Sequence, residues 1–155
     1  MGLAMITTKC SLIFEGKNLD FDQITELVGV APTHTRRAGI QRHPAIEPVD
    51  SWELGVEMSR RVFSLDDPTP WTEQDAWPEI MELLGRLARV VENREAVLAE
   101  YCHTRGMDVL FVVVILSADS MLPILNIDND FIQVMARLDA GLSIDPYLNR
   151  DAESS

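Results

Sequence analysis

The run MDVLFVVVIL, Met107 to Leu116, restricts what this chain can fold into. Val109 to Leu116 is apolar without interruption, but a helix that spans a bilayer needs about 20 such residues. The run is therefore read as a strand covered on both faces, which places it inside a sheet. The rest of the chain must supply its neighbouring strands and a covering layer.

Lys9 to Glu15 alternates, with Cys10, Leu12 and Phe14 on one side and Ser11 and Glu15 on the other, as a strand with one solvated face does. Asp20 can cap a short helix with Gln23 three residues on, Phe21, Ile24, Leu27 and Val28 as its apolar stripe, and Gly29 as its left-handed stop. A short strand is expected over Ala38–Arg42, before Pro44 and Pro48 interrupt pairing. Ser51–Met58 alternates, with Trp52, Leu54, Val56 and Met58 inward, and Val62–Leu65 continues it after a bulge near Ser59. An acidic connection, DDPTPWTEQDAWPE, leads to a long helix over Pro78–His103, with Pro78 in its first turn and Gly106 at its end. A further helix is expected over Asn129–Ala140, capped by Asp128 and stopped by Gly141, and a last strand over Leu142–Tyr147. The order β-α-β-β-α-β-α-β predicts an α+β fold: an antiparallel or mixed sheet with helices packed mainly on one face. Residues 1–8 read as a flexible N-terminus or cloning remnant, 9–148 as one domain, and 149–155 as a flexible C-terminus.

The chain carries 13 Lys+Arg against 25 Asp+Glu, a formal net charge of -12. Such a surface repels nucleic-acid phosphates and anionic lipid, and it attracts a basic protein partner. Neither nucleic acid nor a membrane is expected as a partner. Cys10 and Cys102 are the only cysteines, with no CxxC spacing, so buried free thiols in the cytoplasm are the expectation. The first residues lack the basic start and apolar centre of a signal peptide.

Known catalytic and metal patterns find no match. No glycine-rich phosphate loop, HExxH or GxSxG occurs, and His34, His43 and His103 are scattered. NIDND, Asn126–Asp130, alternates oxygen ligands as a calcium loop does, but Phe131 stands where that loop needs Gly, and Arg137 where it needs an acid. No cofactor, metal or catalytic residue is assigned, and the reading points away from an enzyme. Two candidate surfaces remain. VAPTHTRRAG, Val30 to Gly39, concentrates positive charge in an acidic chain. Thr33, Thr35, Arg36 and Arg37 there suit a small anion or carboxylate, unless the arginines simply meet surface acids such as Glu53 or Glu57. Trp71 and Trp77, rimmed by Asp66, Asp67, Glu73 and Asp75, have the composition of a partner-binding surface, unless they pin the long helix onto the domain.

LVGVAPTHTRRAG followed by SWEL resembles the bacterial family called domain of unknown function 4279, on Gly29, Pro32, Thr33, Gly39 and Trp52. The order of elements agrees over most of the chain, while SADSMLPILNIDND departs from the Gly- and Ser-rich turn usual after the central strand. Some members resemble immunity proteins encoded beside toxins. The resemblance therefore implies a binding protein more than an enzyme, with an immunity protein that blocks a basic toxin as its specific form. A ligand-binding protein or enzyme with a pocket near Arg36, and an oligomer such as a homodimer paired through a sheet edge, are the alternatives.

Overall fold

A computed structural model describes residues 4–39, 44–45, 47–62, 73–117 and 127–148. The elements are β1 (Ala4–Gly16), α1 (Phe21–Val28), β2 (His34–Arg36), β3 (Asp50–Val62), α2 (Glu73–Val90), α3 (Glu95–Arg105), β4 (Asp108–Ser117), α4 (Asn129–Leu138) and β5 (Gly141–Leu148). One five-stranded sheet runs in the order β2-β3-β1-β4-β5. Its pairs are antiparallel except β4–β5, which is parallel. Parallel strands need a crossover, and the chain between β4 and β5 supplies it with α4.

Side-chain alternation decides which face of the sheet is dry. Cys10, Leu12 and Phe14 stand opposite Val56, Leu54 and Trp52 on one side and Val113, Phe111 and Val109 on the other. Directly paired residues share a face, so these positions form one apolar surface. Helix α2 covers it with Ile80, Leu83, Leu84 and Leu87, all fully buried. Phe14 meets Trp52 edge to face at 5.4 Å, and Phe131 of α4 meets Phe111 at 4.9 Å. The other face of β4 carries Leu110, Val112 and Val114, each half-buried. β4 is interior to the sheet, as expected, but only one of its faces is fully covered.

The mixed sheet and the α+β class agree with the sequence reading. Several boundaries do not. β1 starts at Ala4, through residues assigned to the terminus, because Met5 to Lys9 pair with Arg61 to Glu57. The edge strand lies at His34–Arg36; Ala38 and Gly39 of the expected strand are in no strand, and residues 40–42 fall outside the described residues. No bulge interrupts β3: Thr7 faces Ser59 in unbroken register, and the expected continuation over Phe63–Leu65 falls outside the described residues. α4 ends at Leu138 with Asp139 left-handed at φ 54°, leaving Gly141 to open β5. The expected long helix is two helices. α2 begins at Glu73, so Pro78 lies beyond the first turn. The break falls at Asn93, with φ 64°.

That break has a mechanical role. Arg94, just after Asn93, donates from Nη1 to the carbonyls of Val28 (2.6 Å) and Leu27 (3.3 Å). A cation thus satisfies the orphan carbonyls at the end of α1 and suits the negative end of its dipole. Asp20 caps the other end, accepting from the Gln23 backbone N–H. Gly29 adopts φ 88°, and a Cβ there would lie 2.0 Å from Arg94 Nη1. The backbone conformation thus favours glycine, and a Cβ would push the Arg94 guanidinium off its carbonyls. Gly39, part of the same stretch, has no positive φ and open space where a Cβ would project, so neither its backbone nor its surroundings require glycine.

Gly29→Ala should cost about 1–3 kcal/mol, the range for a non-glycine residue held left-handed, and chemical denaturation measures it. Gly39→Ala, in the same assay, should lose no more than about 0.5 kcal/mol.

Candidate binding sites

Part of the positive loop is tied into the fold. The Thr33 hydroxyl donates to the Glu53 carbonyl (3.1 Å) and accepts from the Gly55 N–H (2.9 Å), while the Thr33 N–H donates to the same carbonyl at 2.8 Å. Arg37 donates from Nη1 to the Leu19 carbonyl (2.7 Å) and to Asp50 Oδ2 (2.8 Å), and its guanidinium lies 4.0 Å over the Phe21 ring. Asp50 is 5% exposed. It also accepts from the N–H groups of Ala38 (2.6 Å) and Leu19 (3.0 Å). One carboxylate thus joins the loop, the start of α1 and the start of β3. The Ala38 N–H, then Arg37 and the Leu19 N–H, hold the Asp50 carboxyl below its ordinary pKa, against a burial effect that acts the other way.

Arg37 therefore meets an acid, but the acid is Asp50, not Glu53 or Glu57. Glu53 instead accepts from Ser11 Oγ (2.6 Å) and sits 3.5 Å from Lys9 Nζ. Thr35 and Arg36 are exposed on β2, and the Arg36 side chain has no ion pair or hydrogen bond with a described residue. Of the four loop candidates, Thr33 and Arg37 are engaged with the fold, and Thr35 and Arg36 face solvent.

Asp66, Asp67 and Trp71 lie outside the described residues. Glu73, Asp75 and Trp77 fall on the opening turns of α2 by their backbone, and their side chains also lie outside the description.

A groove of about 410 Å³ runs between α2 and α4, closed at one end by the turn that leads into α3. Met81, Ala88, Phe131 and Val134 give it apolar walls. Its charged lining is Glu92, Glu95, Asp128 and Asp130 against Arg89 and Arg137, an excess of carboxylates. Glu95 has a side chain only 9% exposed, and its ion pair is with Arg137, Nη2 to Oε1, at 3.5 Å. Arg89 turns back along its own helix, donating from Nε to the Gly85 carbonyl at 3.2 Å. A second cavity, of about 360 Å³, is lined by Cys102, His103, Met107, Asp108, Leu138 and Asp139 among others. Burial pushes the Cys102 thiol up to about 11, so it is not a thiolate at neutral pH. Neither cavity includes a residue of the positive loop. Among the described residues no group of His, Cys, Asp and Glu is arranged to hold a metal ion. Among them also, no helix is long and apolar enough to cross a membrane.

The groove was not legible in sequence. Glu95 lies within the single helix expected over Pro78–His103, where nothing singles it out. Once a turn at Asn93 is known, Glu95 becomes a first-turn acid beside a second helix.

A five-stranded mixed sheet with its helices mainly over one face, and a Pro-Thr loop stitched to a Trp-bearing strand, defines a small α+β domain. The chain belongs to the family DUF4279, described as a domain of unknown function, which matches residues 6–149. No curated protein and no solved structure matches the chain.

The two arginines should separate in mutagenesis. Arg36→Gln should change stability by no more than about 0.5 kcal/mol, whereas Arg37→Gln, which leaves the buried Asp50 carboxylate short of a partner, should cost about 1–3 kcal/mol. Asp50 has a folded-state pKa below its unfolded one, so its contribution is complete above the unfolded value of about 3.9 and is lost as pH falls through the folded value. Urea midpoints across pH 2–7 should show Asp50→Asn less stable than the parent at neutral pH, with the gap narrowing below about pH 4.

Proposed function

We propose that this protein is a small acidic binding protein that acts in the cytoplasm through contact with a basic protein partner. The groove between α2 and α4 carries this reading. Apolar walls inside a rim with surplus carboxylates have the composition of a surface that attracts a cation and then buries it. The net charge of -12 extends the same field over the molecule. An immunity protein that neutralises a basic toxin is the specific role suggested by the family resemblance. Trp71 and Trp77, with Asp66, Asp67, Glu73 and Asp75, precede the groove-lining part of α2 in the chain and belong to the same proposed interface.

Capture of partners from the source cell, followed by association kinetics at two salt concentrations, tests this reading. Neutralising Asp66, Asp67, Glu73 and Asp75 together should slow association and flatten its salt dependence. Trp71→Ala should mainly speed dissociation, with a loss of at least about 2 kcal/mol. An acidic partner, or an association rate indifferent to salt, would overturn the proposal.

A further inference from the structure

We infer that the groove between α2 and α4 receives a guanidinium side chain, with Glu95 as its acceptor and Arg137 as the group that holds the acceptor in the free protein. This rests on the reading that the partner is basic, and it names the part of that partner which enters.

Glu95 is unusual among the acids of the groove. Glu92, Asp128 and Asp130 are exposed, while the Glu95 side chain is only 9% exposed. It occupies the first turn of α3, where unpaired backbone N–H groups favour negative charge. A buried carboxylate ordinarily takes close charge-assisted partners at about 2.7–2.9 Å, often two at once from one arginine. Glu95 has instead one nitrogen of a half-exposed arginine at 3.5 Å, and it receives no hydrogen bond from another described residue. The acceptor is thus occupied by the right chemical group in a loose geometry.

Space and surroundings fit a replacement for that group. The groove, at about 410 Å³, is larger than one side chain requires and falls within the range of about 300–1,000 Å³ for small-ligand sites. Met81, Phe131 and Val134 offer apolar surface to the methylene stem of an arginine. The exposed carboxylates of Glu92, Asp128 and Asp130 stand around a cation arriving from outside. Arg89, the other positive group in the lining, is turned onto its own helix carbonyl. A planar guanidinium can take both carboxylate oxygens of Glu95, which a lysine ammonium does not do as well. Binding would then displace Arg137 to solvent, where its side chain is already 53% exposed.

This arrangement makes a counterintuitive prediction: removing a positive charge from the groove by Arg137→Gln should strengthen cation binding. N-acetylarginine amide, titrated by calorimetry or NMR, is the probe, with N-acetyllysine amide as the comparison. The parent should bind the arginine probe saturably and more tightly than the lysine probe. Arg137→Gln should bind it at least about threefold tighter, and Glu95→Gln about tenfold weaker, which corresponds to about 1.4 kcal/mol. Should Glu95→Gln fail to fold, Glu92→Gln combined with Asp128→Asn changes only exposed rim acids and should weaken binding several-fold. A cooperatively melting Arg137→Gln protein with no saturable binding, or with the parent's affinity, overturns the inference. So does a folded Glu95→Gln protein that binds as the parent does. If the probe fails while a basic partner is still captured in a salt-dependent way, the groove assignment falls and the binding function stands. If the probe binds but the captured partner is acidic, the function falls instead.

Discussion

Pairing of β1 with both β3 and β4 is the constraint on which the rest of the domain depends. β1 is the third strand in a five-strand order, and its inward residues Cys10, Leu12 and Phe14 are fully buried between their partners. A shift of one residue in either register would turn that apolar row toward solvent and bring Ser11 and Glu15 into the core. The covering helix meets a surface that exists only once the pairing is made, because Leu83, Leu84 and Leu87 pack on residues from several strands. The strands that must meet are distant in sequence: Leu12 pairs with Leu54 and with Phe111. A sheet of this kind forms more slowly than one built from successive hairpins, since long loops close before their contacts contribute.

Positive charge is scarce here, and much of it is committed to holding the backbone in place. Arg37 spans a carbonyl, a buried carboxylate and an aromatic ring; Arg94 closes the end of one helix from the start of another. Arg37 thus has a structural reason to stand beside a helix terminus, whereas its neighbour Arg36 faces solvent. Arg137 differs from Arg37 and Arg94, since its ion pair with Glu95 is long and its side chain makes no hydrogen bond to a described residue.

The period-2 pattern of Cys10–Phe14 and of Trp52–Val56, and the unbroken apolar run of β4, were enough to read three strands and the α+β class. The caps at Asp20, Gly29 and Gly106 were legible for the same reason, because each residue type has a specific local geometry. What failed depended on distant partners. The apolar spacing from Ile80 to Tyr101 is compatible with one helix. Only the approach of Arg94 to α1 shows why the chain turns at Asn93 instead. The role of Asp50 has no local signature, because its three donors come from residues up to 31 positions away. The groove between α2 and α4 was hidden for the same reason: its acids lie on segments separated by the whole of β4, and no local pattern joins them.

The two cysteines carry a consequence for how the molecule's opening can be followed. Cys10 lies fully buried in the middle of β1, with its thiol pushed up to about 12 by burial; Cys102 is buried on α3. An alkylating reagent needs a thiolate that it can reach, and the closed fold provides neither. Labelling must therefore wait for the surrounding structure to open. The wild-type chain thus holds two native clocks, one timing separation of the sheet and the other timing release of a helix, with no engineered probe.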